Sequence, residues 1–255
     1  MSSFADPRPA ARWAGLDARG LAEELVLPQV MVFEQVASTM DVGHTLGANG
    51  AAAGTLVLAD AQSAGRGRQG KSWSSEPGAG IWLTLIERPR DSAALDVLSI
   101  RVGLAIAPEL DAFARAPVRL KWPNDLYAEG RKLSGILIEA RWRGERPDWV
   151  AIGIGINSRV PEHETHATAL RPGVSRLDVL RAIVPRVRAA AASVGSLTPE
   201  ERLAFSTRDL AAGRACVEPV AGRVTGIDGR GALLVETAFG VVEARTGSLV
   251  LQEER

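Results

Sequence analysis

The sequence predicts an α+β protein with a mixed or antiparallel sheet, followed by a small β unit at the C-terminal end. Three observations support this. Two long runs, Lys132 to Arg143 and Asp148 to Ile156, are joined only by the polar turn Gly144-Glu145-Arg146-Pro147, and runs so joined must pair as antiparallel neighbours. Helical patterns stand in stretches of their own beside this meander, which argues against a doubly wound parallel sheet. After Gly213 the composition changes to short β-type runs separated by glycine turns. At 255 residues the chain exceeds the usual single-domain size, so a large domain over 1–212 and a small one over 213–255 are expected.

The elements follow in order. The first 30 residues are alanine-rich, with a short helix expected over Leu16 to Leu25. Ser38 or Thr39 caps a helix that runs to about Leu46 and ends in Gly47-Ala48-Asn49-Gly50. Gly54 to Ala59 reads as a buried strand, and Ile81 to Ile86 as a second. Leu98, Val102, Ala105, Ile106, Leu110 and Phe113 recur at helical spacing, with Pro108 expected to kink that helix. Val118 to Trp122 is a strand stopped by Pro123. Ser175 and Asp178 open a helix towards Val194 with Pro185 as its weak point, and Pro199-Glu200-Glu201 starts another. Cys216 to Val220, Gly222 to Ile227, Ala232 to Thr237 and Val241 to Ala244 are short strands, with Asp228-Gly229-Arg230-Gly231 the clearest turn. They make a small β barrel that is expected to dock on the larger domain.

Composition narrows the function. Thirty basic and thirty acidic side chains cancel, which argues against a nonspecific nucleic-acid binder relying on a positive field. Cys216 is the single cysteine, so there is no intramolecular disulfide and no multi-cysteine metal site. A reducing, cytoplasmic setting follows as the expectation. The first 13 residues carry no apolar core, so neither signal peptide nor membrane anchor is expected. His163 and His166, in a stretch rich in Pro, Glu and Thr, read as a solvated loop rather than a metal pair, and His44 as a surface or cap residue.

Charge is nevertheless uneven. Gln62-Ser63-Ala64-Gly65-Arg66-Gly67-Arg68-Gln69-Gly70-Lys71-Ser72-Trp73 holds three glycines, three cations and one indole, and no acid lies between Ala61 and Ser75. Glycines let backbone amides approach an anion. Arg66 and Arg68 can make forked contacts to carboxylate or phosphate, and Trp73 offers an apolar wall. The stretch reads as a loop that closes over a small anion. Three further segments join it. Lys121-Trp122-Pro123-Asn124-Asp125-Leu126 puts Asn124 and Asp125 at a strand end. Arg131-Lys132-Leu133-Ser134-Gly135-Ile136-Leu137 sets a cation at the start of an apolar strand. In Gly153-Ile154-Gly155-Ile156-Asn157 the two glycines share one strand face and leave it bare. Singly these segments suggest a turn, a solvated lysine and a packing niche.

In this order, with Ser38-Thr39 upstream, they resemble the biotin protein ligases, biotin–acetyl-CoA-carboxylase ligases, over nearly the whole chain from about Val32. The resemblance implies a core similar to class II aminoacyl-tRNA synthetases and an SH3-like C-terminal domain. It implies ATP and Mg²⁺ as cofactors, formation of biotinyl-5′-adenylate, and transfer of biotin to a lysine of a biotin carboxyl carrier domain. Nucleic-acid and membrane partners are not implied, and a homodimer through sheet edges is admitted. Lys132, Arg68 and Asp125 would be catalytic. Lys132 would bridge biotin's carboxylate and the α-phosphate, and Asp125 would orient or deprotonate the acceptor amine. Ser38, Thr39, Gln62, Gly65, Arg66, Arg68, Lys132, Gly135 and Gly155 would surround biotin. Arg66, Arg68, Trp73, Asn124, Lys132, Gly153, Gly155 and Asn157 would surround the nucleotide, with Asn157 near Mg²⁺ and Ala167 to Leu170 ordering with ATP. Gly153 and Gly155 would form a flat floor under the ligand. Family loops commonly carry Arg where this chain has Gln69 and Lys71, and often Asn where it has Met40, which puts adenylate retention and one polar contact in question. Only about 30 residues precede the core, too few for the DNA-binding module some members carry, so a ligase without repressor function is expected. The rivals are a lipoate ligase on a related core and a non-enzymatic biotin or adenylate sensor.

Overall fold

An eight-stranded sheet forms the centre of the computed structural model, which describes residues 7–89, 91–162 and 164–254. In chain order the elements are β1 (Arg8–Pro9), α1 (Ala18–Leu25), β2 (Gln29–Val36), α2 (Thr39–Ala48), β3 (Thr55–Gln62), β4 (Gly80–Glu87), α3 (Ala93–Asp96), α4 (Leu98–Asp111), β5 (Arg119–Lys121), β6 (Asp125–Ala128), β7 (Arg131–Arg143) and β8 (Arg146–Asn157). There follow α5 (Arg176–Ala192), α6 (Pro199–Arg208), β9 (Ala215–Glu218), β10 (Gly222–Ile227), β11 (Leu233–Thr237), β12 (Gly240–Ala244) and β13 (Val250–Leu251). The sheet runs β1-β2-β3-β4-β8-β7-β6-β5, with β2 and β3 parallel and the other neighbours antiparallel. The fold is therefore α+β with a mixed sheet.

The expected hairpin is β7–β8, but its loop is only Gly144-Glu145, since Arg146 already pairs with Arg143. Gly144 supplies the positive φ of 61° that a two-residue hairpin loop requires. Strands β2 and β6 are absent from the sequence reading. Both proline-bearing helices run unbroken, α4 through Pro108 and α5 through Pro185. One lost backbone hydrogen bond in each is outweighed by burial of flanking Ile106, Leu110, Val184 and Val187.

Strand alternation gives the sheet two faces. Leu56, Leu58, Leu83, Leu85, Ile152, Ile154 and Ile156 point into the main core, which α1, α4 and α5 cover. The other face carries Trp82, Thr84, Gly135, Leu137, Glu139, Gly153 and Gly155 in cross-strand register. Helix α2 lies over part of that face, its Val42 and Leu46 against Phe33, Val36, Val57 and Ala59. The rest is left for the loop between β3 and β4.

After Gly213 a second antiparallel sheet is ordered β12-β11-β10-β9-β13. Its inward residues Val224, Ile227, Leu233, Val235 and Leu251 belong to the same apolar cluster as the main core. The turn Asp228-Gly231 is closed by Asp228, whose Oδ1 accepts from the amides of Arg230 and Ala232 at 2.9 and 2.7 Å. Trp122 Nε1 donates to Gly231 O at 2.9 Å, so the strand-ending Trp-Pro motif also ties the two sheets together.

Candidate active site

A cavity of about 330 Å³ opens on the glycine-bearing face of the sheet. Its wall includes Ser38, Gln62, Arg66, Arg68, Trp73, Asn124, Asp125, Lys132, Gly135, Gly153, Gly155 and Asn157. Four sequence segments that are remote along the chain thus converge. Lys132 reaches this face through a β-bulge. Leu126 pairs with Ser134 but Tyr127 with Lys132, so Leu133 is the extra residue. The bulge lets Leu133 bury in the main core while Lys132 turns to the side of Gly135.

The glycine-arginine loop is an ordered flap. Trp73 N donates to Gly65 O at 2.8 Å and Gly67 N to Lys71 O at 2.7 Å, pairing its two limbs. Arg68–Gly70 forms the tip, with Gln69 in the left-handed region at φ 56°. Gly65 does not line the cavity. A Cβ there would collide with Trp73 O and Ser75 Oγ, so this glycine serves packing between the limbs.

The bare strand face is already occupied by the flap and α2. A Cβ on Gly155 would sit 2.6 Å from Trp73 Cε2, one on Gly135 2.8 Å from Trp73 Cζ3, and one on Gly153 2.7 Å from Met40 Sδ. The expected ligand floor is thus covered by an indole and a thioether. Trp73 also meets Trp82 edge-on at 6.4 Å. Its buried Nε1 has no hydrogen-bond partner among the described residues, a cost of about 1–3 kcal/mol.

At the α2 end the polar groups are interlocked. Ser38 caps α2, its Oγ accepting from Met40 N at 3.3 Å. Thr39 is buried behind the wall and does not line the cavity. Its amide and hydroxyl donate to Gln62 Oε1 at 2.8 and 3.1 Å. Gln62 Nε2 donates to Ser75 Oγ at 2.8 Å. With its oxygen taken and one N–H used, Gln62 can present only an N–H donor to a ligand. Arg66 departs from its expected role as an anion holder. Its Nη2 lies 3.3 Å from Asp41 and 3.2 Å from Glu139, anchoring the flap to α2 and β7. Glu139 also meets His44 Nε2 at 2.7 Å, while His44 Nδ1 accepts from Trp149 Nε1 at 3.3 Å. His44 is thus a partly buried link in this cluster rather than a surface residue.

At the other end lie the remaining cations. Lys132 Nζ is 2.8 Å from Asp125 Oδ2 and 5.2 Å from the Trp73 ring centroid. Asp125 Oδ1 is buried without a hydrogen-bond partner among the described residues. Arg68 Nη1 donates to Asn124 Oδ1 at 3.2 Å and to Gly247 O at 3.4 Å. Burial lowers its pKa and neighbouring Asp125 raises it, but a guanidinium stays charged in a protein. Asn124 Nδ2 donates to Ile136 O at 2.8 Å. Asn157 Nδ2 donates to Thr168 O at 3.0 Å and Lys132 O at 3.4 Å, holding the 166–168 segment beside β7. Among the described residues no group of three or more His, Cys, Asp and Glu could hold a metal.

Tyr127, Glu164, His166 and Ser248 also line the cavity and are missing from the sequence reading of the site. Tyr127 lies on the unrecognised β6, and Ser248 lies in the loop between β12 and β13. His166 is a wall residue of the site, and His163 falls outside the described residues. Trp13 and Trp82 are buried, whereas Trp142 is exposed.

Residues 32–157 match the family profile described as the biotin/lipoate A/B protein ligase family. The biotin–[acetyl-CoA-carboxylase] ligase of Mycobacterium tuberculosis is 32% identical over 259 residues, covering 92% of this chain and 95% of that protein. The bifunctional ligase/repressor BirA of Bacillus spizizenii is 39% identical over 139 residues, which is 54% of this chain and 43% of that protein. This chain therefore matches less than half the length of that bifunctional relative. Among solved structures, biotin protein ligase from Aquifex aeolicus in complex with biotin and ATP superposes with a TM-score of 0.68 at 25% identity, covering 88% of this chain and 98% of that one.

Proposed function

Because the chain belongs to the biotin/lipoate A/B protein ligase family, we propose that it activates biotin with ATP and transfers it to a lysine of a biotin carboxyl carrier domain. The observation that carries the choice of biotin is the donor pattern at Gln62 and Ser38. Gln62 has one N–H left to offer, and the Ser38 hydroxyl, already accepting from Met40 N, is left to donate. Two donors at the α2 end suit the strongly accepting oxygen of a urea. A dithiolane offers nothing comparable, which disfavours the lipoate reading.

In the proposed first step an oxygen of biotin's carboxylate attacks the α-phosphorus, a P–O bond to the β-phosphate breaks, and pyrophosphate leaves with its electron pair. Both reactants are anions, so positioned cations lower the barrier. Lys132 leaves Asp125 to lie between carboxylate and α-phosphate, and Arg68, held by Asn124 and Gly247, faces the phosphate oxygens. Trp73 lifts from Gly135 and Gly155, so the adenylate takes the floor and the indole becomes its cover. In the second step the amine attacks the acyl carbon, AMP departs, and Asp125, freed from Lys132, receives the proton.

Mg²⁺ fits as an ion carried by the triphosphate. Asn157 offers a neutral amide oxygen that accepts no hydrogen bond among the described residues, and Mg²⁺ at phosphates needs few protein ligands. It would supply charge neutralisation at the phosphates. We assign residues 1–212 to a catalytic domain of class II aminoacyl-tRNA synthetase type and 213–255 to an SH3-like domain. The proposed setting is cytoplasmic, and a homodimer is an admitted form.

Transfer of labelled biotin to a purified carrier domain, with ATP present and lipoate as competitor, tests this reading. Labelling of one carrier lysine that excess lipoate leaves unchanged is the expected result. No labelling at saturating substrates, or efficient lipoyl transfer, would defeat it.

A further inference from the structure

Ser75 carries a buried hydroxyl just beyond the flap, 6% exposed and outside the cavity wall. It accepts from Gln62 Nε2 at 2.8 Å and donates to Trp73 O at 3.3 Å. Resting on the biotin ligase reading above, we propose that Ser75 is a positioning residue that couples occupation of the urea-reading end, through Gln62, to closure of the flap, through Trp73.

The hydroxyl ends a one-directional chain. Thr84 Oγ1 donates to Thr39 Oγ1 at 2.9 Å, and Thr39 donates to Gln62 Oε1 by its hydroxyl and its amide. Gln62 donates to Ser75, and Ser75 to the Trp73 carbonyl. The Thr39 amide can only donate, so the orientation of the Gln62 side chain is fixed from this side. Each later member then has one satisfied arrangement, and a chain of this kind responds as a unit. The main chain doubles the link, because Gln62 N donates to Ser75 O at 3.1 Å. Gly65 completes the joint. A Cβ there would meet Trp73 O, Ser75 Oγ at 2.9 Å and Gln62 Nε2 at 3.0 Å.

A ligand acceptor at the free N–H of Gln62 holds that amide in place, and with it Ser75 and the carbonyl of Trp73. The indole can leave Gly135 and Gly155 by rotation about its own side-chain bonds while the carbonyl stays on Ser75, so a flap closed over the ligand in turn holds Ser75 and Gln62 in place. The two events share one hydrogen-bond chain, so by linkage each changes the equilibrium of the other. The methyl of Ala at this position would leave Gln62 Nε2 and Trp73 O without their buried partner.

The test is biotin-dependent ATP–pyrophosphate exchange and adenylate release by the wild type, Ser75→Ala and Ser75→Thr. Loss of this hydroxyl is expected to raise the KM for biotin about tenfold and to speed adenylate release by a similar factor. The KM for ATP and the maximal exchange rate should stay within about twofold, since neither Lys132 nor Arg68 touches the chain. Ser75→Thr keeps the hydroxyl and should restore both values. Calorimetric titration with biotin alone should show the same affinity loss without any turnover. An unchanged biotin KM and release rate in Ser75→Ala overturns the proposal. Equal rises in both KM values, or no recovery with Thr, overturn it as well, since they mark general loosening. Absence of exchange in the wild type overturns the ligase reading itself, and this inference with it.

Discussion

Lys132 and Gly155 carry the most specific consequences at the residue scale. Lys132 is partly exposed, and its Nζ meets Asp125 and the face of Trp73 rather than the main core, so its removal should leave the fold intact. Lys132→Ala is predicted to lower the rate of biotinyl-adenylate formation at least about 100-fold with little change in thermal midpoint. Quenched-flow measurement of adenylate together with a melting curve checks both halves. Gly155 tests the indole-covered floor. An added Cβ would lie 2.6 Å from Trp73 Cε2, so Gly155→Ala should cost about 1–3 kcal/mol by overpacking. Most of that cost should vanish in a Trp73→Ala background, where the clash has no partner. Additive effects in the double-mutant cycle would mean that the indole does not rest on the glycine.

Among the elements, the flap and strand β7 decide how much of the site was legible. The flap was readable because glycines, cations and an indole crowd one stretch. What they would do with Arg66 was not, because its partners Asp41 and Glu139 lie on α2 and β7. Ion pairs at this exposure contribute about 0–1 kcal/mol, so Glu139→Gln should leave global stability nearly unchanged. The flap should open more readily, and tryptic cleavage after Arg66, Arg68 or Lys71 should quicken about two- to fivefold. An unchanged cleavage rate would remove the anchoring role. The β7 bulge was equally hidden. Alternation from Gly135 would send Lys132 to the core face, and only the skipped pairing of Leu133 reverses it. The Gly-Ile-Gly-Ile alternation gave the bare face correctly, yet it could not name Trp73 as the occupant.

For the whole molecule, the two sheets share one apolar cluster and several polar ties. One buried carboxyl group is costly. Asp209 follows α6 and is 1% exposed, with Oδ1 accepting from Ala211 N at 2.8 Å and Oδ2 without a partner among the described residues. Burial pushes its pKa up to about 6, outweighing the Ala211 amide and Arg119. A folded-state value above the unfolded one of about 3.9 means the folded form holds its proton longer. Stability therefore falls as pH rises from about 4 to about 6, and the cost is complete above that, about 3 kcal/mol at most. Asp209→Asn should stabilise the protein by about 1–3 kcal/mol at pH 8, with the gain gone below about pH 4. Urea unfolding at the two pH values reads this directly, and a gain that is equal at both would contradict it.

The small sheet was legible from its glycine-spaced strands, but its share of the active site, Gly247 on Arg68 and Ser248 in the wall, depends on docking that no local pattern encodes. The central claim is that one cavity brings two anions together beneath Lys132 and Arg68. Biotin-dependent exchange of labelled pyrophosphate into ATP, without any carrier, measures that step most directly. The account predicts exchange by the wild type that requires biotin and is lost in Lys132→Ala. Exchange that proceeds without biotin, or that survives loss of Lys132, would contradict it.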